Sequence, residues 1–216
     1  MRESFKNSEG KIIVEEIIKT VQENKDYLTK LDSALGDGDH GINMNKGMTL
    51  CYEKIKNKNL TLSESLEILG NTLLNEIGGA MGPLYGTFFL GMASGSRDKM
   101  VINKNDFSQM LHSSLNGILE LTTAKLGDKT LLDVLIPAIE SFDKCLSEGK
   151  DFEEALRELD RVVDQSLEST KGMIAKFGRG ARLGELSKGV EDAGAASCAL
   201  ILKAIADSII SIIISK

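Results

Sequence analysis

The sequence has no tryptophan and only 5% aromatic residues, so platforms for stacking nucleic-acid bases are not expected. Positive charge is not in excess either. The formal net charge is −6, which removes the basic field that nucleic-acid binders use. Cys51, Cys145 and Cys198 lie far apart and form no Cys-x-x-Cys pair, and two histidines do not complete a zinc pattern around them. Buried thiols in a reducing cytosol are the plain reading of the three cysteines. The two prolines, Pro83 and Pro137, each suit a first helical turn or a bend, so little interrupts helices. The opening MRESFKNSEGK carries no apolar run of signal-peptide length, so no export signal is expected. These absences predict a cytoplasmic protein with no nucleic-acid or membrane partner.

What is present is an ordinary globular composition. With 216 residues, 42% hydrophobic and 27% charged, the chain reads as one folded domain over residues 1–216. Helical spacing dominates. Ile13, Ile17 and Val21 share one face, and Leu62, Leu66, Leu69 and Leu73 repeat the pattern behind a capping box of Thr61 and Glu64. Phe107, Leu111, Leu115 and Ile118 form another stripe, and Phe152, Leu156, Leu159, Val163 and Leu167 the clearest one. Less regular helices fit about 44–56, 82–94, 130–147 and 195–214. The last is nearly long enough to span a bilayer. Lys203 and Asp207 interrupt it one turn apart, so it reads as a buried core helix. The expectation is an all-α fold of about eight helices, with no alternating strand.

Glycines gather at 36–47, 78–86 and 172–194. Each glycine inside a helix costs about 1 kcal/mol relative to alanine, so clusters at helix corners suggest turns or close approach to a ligand. The first cluster, LDSALGDGDHGIN at 31–43, is the most informative. Asp32, Asp37 and Asp39 crowd into eight residues between two predicted helices, and a divalent cation relieves their repulsion. Hard oxygen ligands select magnesium or calcium. A dinucleotide fingerprint at Gly36, Gly38 and Gly41 is discounted, because a helix precedes it where a strand is required. A calcium loop starting at Asp37 fails at Gly41, Ile42 and Met48. The reading that remains is magnesium beside a helix N-terminus, with His40 and Asn43 donating to phosphate oxygens. The plainer alternative makes the aspartates helix caps and turn residues, a role that suits Asp39 alone.

GGAMGP at 78–83 opens another helix and offers a second set of backbone donors to a phosphate. Residues 171–194 carry Arg179, Arg182, Lys188 and Asp192 without apolar periodicity, as expected of a lid over phosphates or of a plain surface loop. His112 lies inside an amphipathic helix, where a packed or surface histidine is the simple account.

Four stretches carry a resemblance: LDSALGDGDHGINMNKG, GGAMGPLYGTFF, GDKTLLDVLIPA and GRGARLGELSKGVEDAGAAS, spanning 31–197 in this order. Together they resemble the nucleotide-binding subunit of dihydroxyacetone kinases. The resemblance implies a closed barrel of antiparallel helices with ADP or ATP at one rim. It implies two magnesium ions on Asp32, Asp37 and Asp39, and a phosphate-contacting turn at His40, Gly41, Ile42 and Asn43. A second phosphate contact falls at Ala80 and Met81. Thr122, Leu131, Arg179, Asp192, Ala193 and Gly194 fall around the rest of the nucleotide. The family usually has serine where Met81 stands, often proline at Ala193, and commonly glycine at Thr122. One family arrangement fuses this domain to a substrate domain. The other keeps separate subunits, with ADP retained and recharged by a phosphocarrier of the phosphoenolpyruvate phosphotransferase system. At this length the chain reads as the separate subunit, which leaves three partners in view: a dihydroxyacetone-binding subunit, the phosphocarrier, and a second copy in a homodimer. Competing expectations are a related kinase domain for another hydroxyketone or a lipid acid, and a nucleotide-charged regulator that binds a transcription factor.

Overall fold

The computed structural model describes residues 3–215 and contains nine α-helices among them. They are α1 (Lys11–Glu23), α2 (Lys25–Leu35), α3 (His40–Ile55), α4 (Leu62–Glu76) and α5 (Met81–Ser96), followed by α6 (Lys104–Leu121), α7 (Leu132–Ser147), α8 (Phe152–Ser169) and α9 (Ala193–Ile214). The apolar stripes face inward as their spacing requires: Ile13, Ile17 and Val21 on α1 and Phe152, Leu156, Leu159 and Val163 on α8 are all buried. The capping box at the start of α4 is present, with Glu64 N–H donating to Thr61 Oγ1 at 3.2 Å and Thr61 N–H donating to Glu64 Oε2 at 2.8 Å. Phe107, Phe142 and Phe152, from α6, α7 and α8, meet edge to face or tilted and fill one end of the core.

Helices adjacent in sequence are adjacent in space. From α4 to α9 each packs on the next, and α9 also packs on α1, which touches α3 and α4. The apolar C-terminal helix is 22 residues long, enough by length and composition to cross a membrane. It is nevertheless a core helix: most of its apolar stretch is buried, and Ile201, Leu202, Ile205 and Ile209 are enclosed.

Three local expectations are corrected. First, α2 is an additional helix, and Asp32 lies within its last turn, not in a free corner between helices. Second, two strands exist, β1 (Ser4–Lys6) and β2 (Val101–Asn103), paired antiparallel with Phe5 opposite Ile102. Each has a single buried residue, too few to reveal alternation. Third, Pro137 lies inside α7, beyond its first turn. The segment before α9 is also more structured than its composition suggests. It forms short 3-10 turns at Thr170–Gly172 and Gly180–Ser187, and Ala175 N–H donates to the buried Ser187 hydroxyl at 2.9 Å.

Candidate functional site

Four stretches of chain converge on one cavity of about 400 Å³: the α2–α3 corner, the start of α5, the loop before α7, and the segment leading into α9. Gly38, with φ +75°, makes the turn that brings Asp37 and Asp39 back toward Asp32. Ligand oxygens of Asp32, Asp37 and Asp39 lie within 4.8 Å of one another. Asp39 occupies the cap position of α3, yet its side chain makes no capping bond there, so its carboxylate is not consumed as a cap. Asp32 Oδ2 instead accepts from the backbone N–H of His40, at 3.2 Å. The Asp39 pKa is raised, first by burial and then by the charges of Asp37 and Asp32. Arg179 reaches across to Asp37 at 2.6 Å and partly offsets this crowding. Three carboxylates that converge on one point fit a hard divalent cation.

His40 is buried, and its pKa is lowered to about 4, mainly by burial and against the pull of Asp32. It is therefore neutral near pH 7. Its Nε2 hydrogen-bonds to the Ser197 hydroxyl at 2.8 Å, and that hydroxyl bonds to Tyr85 Oη at 2.5 Å. Tyr85 Oη also donates to the Gly194 carbonyl at 3.0 Å. This buried chain joins α3, α5 and α9, fixing the histidine ring at the cavity wall.

Ala80 and Met81 open α5 at the opposite wall, where the first N–H groups of a helix have no intrahelical acceptor. Leu84, Ile118, Leu131 and Leu132 make an apolar interior, and Thr122, Phe177, Ala193 and Gly194 complete the lining. Asp192 caps α9 by accepting from Ala195 N–H at 2.8 Å, and burial pushes its pKa up to about 6.

The structure thus brings together all three aspartates with His40, Ala80, Met81, Thr122, Leu131, Arg179, Asp192, Ala193 and Gly194 around one cavity. Gly41, Ile42 and Asn43 do not line it. Gly41 faces α2, so closely that a Cβ there would lie 2.1 Å from the Lys25 carbonyl. Ile42 is 52% exposed, and Asn43 turns its side chain to Asp39. Several groups escaped the sequence reading: Tyr85, Ser197, Phe177 and Lys129. The GDKT stretch held a signal for the last. Asp128 and Asp133 bracket Lys129 and accept backbone N–H groups of the same loop, which marks a built turn.

Residues 34–207 match the DAK2 domain. The chain is 35% identical over 184 residues to "PEP-dependent dihydroxyacetone kinase, ADP-binding subunit DhaL" of Escherichia coli, covering 84% of this chain and 87% of that one. It is 37% identical over 192 residues to the ADP-binding subunit DhaL of PEP-dependent dihydroxyacetone kinase 1 of Listeria innocua, covering 88% and 91%. In three dimensions it matches the native dihydroxyacetone kinase of C. freundii with TM-score 0.72 at 24% identity. That match covers 96% of this chain and 36% of the kinase, so the chain spans about a third of the solved protein's length.

Proposed function

The chain belongs to the DAK2 domain family, and on that premise we propose that it is the nucleotide-binding subunit of a dihydroxyacetone kinase. It holds ADP or ATP with magnesium and passes phosphate to dihydroxyacetone bound on a partner subunit. The observation that carries this reading is the convergence of Asp32, Asp37 and Asp39 within 4.8 Å, on a cavity that also receives Arg179 and the N-terminus of α5. The named relatives are kinases, and two of them are ADP-binding subunits of PEP-dependent enzymes. By analogy, ADP stays bound and is rephosphorylated by a phosphocarrier of the phosphotransferase system.

The three aspartates would hold magnesium, in a two-ion arrangement as in the family pattern. Bound there, magnesium neutralises charge on the phosphate oxygens and orients them. The chain's own residues do the rest. Backbone N–H groups at Ala80 and Met81 bind phosphate, and any side chain serves at that position. Leu84, Ile118 and Leu131 would exclude water from the apolar part of a bound nucleotide, with Thr122, Asp192, Ala193 and Gly194 around the rest of it. His40, neutral and held by Ser197, presents a fixed dipole beside the phosphates without a change in charge. Arg179 stands on segment 171–194, read as a lid that supplies positive charge over the phosphates. The circuit of helix contacts from α4 round to α1 supports a closed barrel with the nucleotide at one rim. Cytoplasmic location and a homodimer complete the reading.

Calorimetry of ADP binding with and without magnesium tests it. Affinity should require the metal, and Asp37→Asn should weaken it by at least roughly 10–100-fold, the range seen when groups around a metal are altered. Unchanged affinity in Asp37→Asn with magnesium present would overturn the metal assignment.

A further inference from the structure

Lys129 is the only lysine or arginine among the described residues that is buried, with 1% exposure. Its backbone has φ +60°, in the left-handed region that non-glycine residues rarely adopt. The loop holds that conformation through side-chain acceptors. Gly127 N–H and Thr130 N–H donate to the Asp133 carboxylate at 2.5 and 2.7 Å, and Lys125 N–H donates to Asp128 at 2.8 Å. A strained position braced from both sides points the side chain in one fixed direction.

That direction leads along the cavity wall to three main-chain carbonyls. The ammonium donates to Ser187 O at 2.5 Å, Val190 O at 2.7 Å and Met173 O at 3.4 Å. An ammonium has three N–H groups, and each finds an acceptor here, which is what permits its burial. The three acceptors come from both ends of segment 173–190, which crosses the cavity and carries Arg179 to Asp37. Lys129 itself stands just before α7, on the fixed side of the cavity. The segment's other charged links, Lys176 to Asp128 and Lys188 to Glu185, have exposed lysines and contribute little.

We propose that Lys129 is a positioning residue whose ammonium, seated on the carbonyls of Met173, Ser187 and Val190, holds segment 173–190 over the cavity and thereby sets how long a nucleotide stays bound. The part concerning nucleotide rests on the functional reading above; the part concerning the segment does not. Hydrogen exchange followed by mass spectrometry on the full chain tests the segment. Lys129→Met, which keeps the stem and removes the donors, should speed amide exchange over 173–190 by roughly tenfold or more. Exchange in α1 and α8 should stay as in the wild type. Lys129→Arg, which keeps charge and donors, should lie between the two. Release of a fluorescent ADP analogue in magnesium should quicken in the same order, with association little changed. Unchanged exchange over 173–190 in Lys129→Met would overturn the proposal. So would acceleration spread equally over α1 and α8, equal behaviour of the Met and Arg variants, or failure of both to fold. If the wild type binds no ADP, the functional reading falls, and the exchange comparison still decides the role of Lys129.

Discussion

Two ionisable side chains at the cavity wall, His40 buried and Asp192 half-buried, bias the pH dependence of folding in opposite directions. His40 is held neutral, with its pKa lowered from 6.5 to about 4 by burial. The unfolded chain takes up that proton first as pH falls, so the stability linked to His40 is present above pH 6.5 and is lost on the way down to about 4. Asp192 behaves oppositely. Its pKa rises from 3.8 to about 6, so the unfolded chain ionises first as pH rises, and stability is lost between those values. The two windows overlap, and the slopes partly cancel. Asp192→Asn keeps an acceptor for Ala195 N–H and removes the titration. Its melting temperature, measured with a chelator present, should therefore climb more steeply from pH 4 to pH 6 than that of the wild type. Parallel curves would contradict the raised pKa of Asp192. Residues of this kind were only half legible in the sequence. The aspartate trio sits within eight positions and reads directly. His40 and Ser197 are 157 positions apart, so their bond, and the histidine's neutrality, belong to the tertiary structure.

At the scale of elements, the α2–α3 pair decides whether the aspartates converge, because Asp32 belongs to one helix and Asp39 to the cap of the other. What lets the helices approach is Gly41. A methyl group there would meet the Lys25 carbonyl at 2.1 Å and Thr29 Oγ1 at 2.4 Å, so the helices would have to separate. Gly41→Ala should cost about 1–3 kcal/mol in urea unfolding, the usual range for overpacking. It should also weaken magnesium-dependent ADP binding, since the two aspartates move apart. Gly172→Ala, whose added carbon has nothing within 4 Å, is the control and should stay within about 0.5 kcal/mol of the wild type. A Gly41→Ala protein of wild-type stability and affinity would show that the close approach is dispensable. Element legibility followed the amount of apolar surface on each. The stripes of α4 and α8 are long, whereas α2 buries only Leu28 and Leu35, with Leu31 partly buried between them, too short a stripe to stand out. Segment 171–194 has no apolar stripe and reads as a loop, because its anchors are a lysine from another loop and main-chain carbonyls.

At the scale of the molecule, a helical framework carries at one place a cavity whose polar groups suit metal and phosphate. Asp32, Asp37, Asp39 and Arg179 carry charge, the start of α5 offers N–H groups, and the remaining walls are largely apolar. His40 spends Nε2 on Ser197 inside the wall. His112 lies away from the cavity, on the α6–α7 surface, where it bonds to Asp143 at 2.7 Å. Neither is placed to hold a ketone. Transfer of phosphate needs donor and acceptor in line and little covalent help, so an acceptor that is not held reacts at a negligible rate. The chain with magnesium and ATP should therefore leave free dihydroxyacetone unphosphorylated. Adding a cognate dihydroxyacetone-binding subunit should give about one turnover per bound ATP, followed by arrest until a phosphocarrier recharges the retained ADP. Product formed by the chain and ATP alone, sustained over many turnovers, would refute the subunit reading. A complete mixture that never turns over would instead point to a different acceptor, and other hydroxyketones offered on the same partner would then identify it.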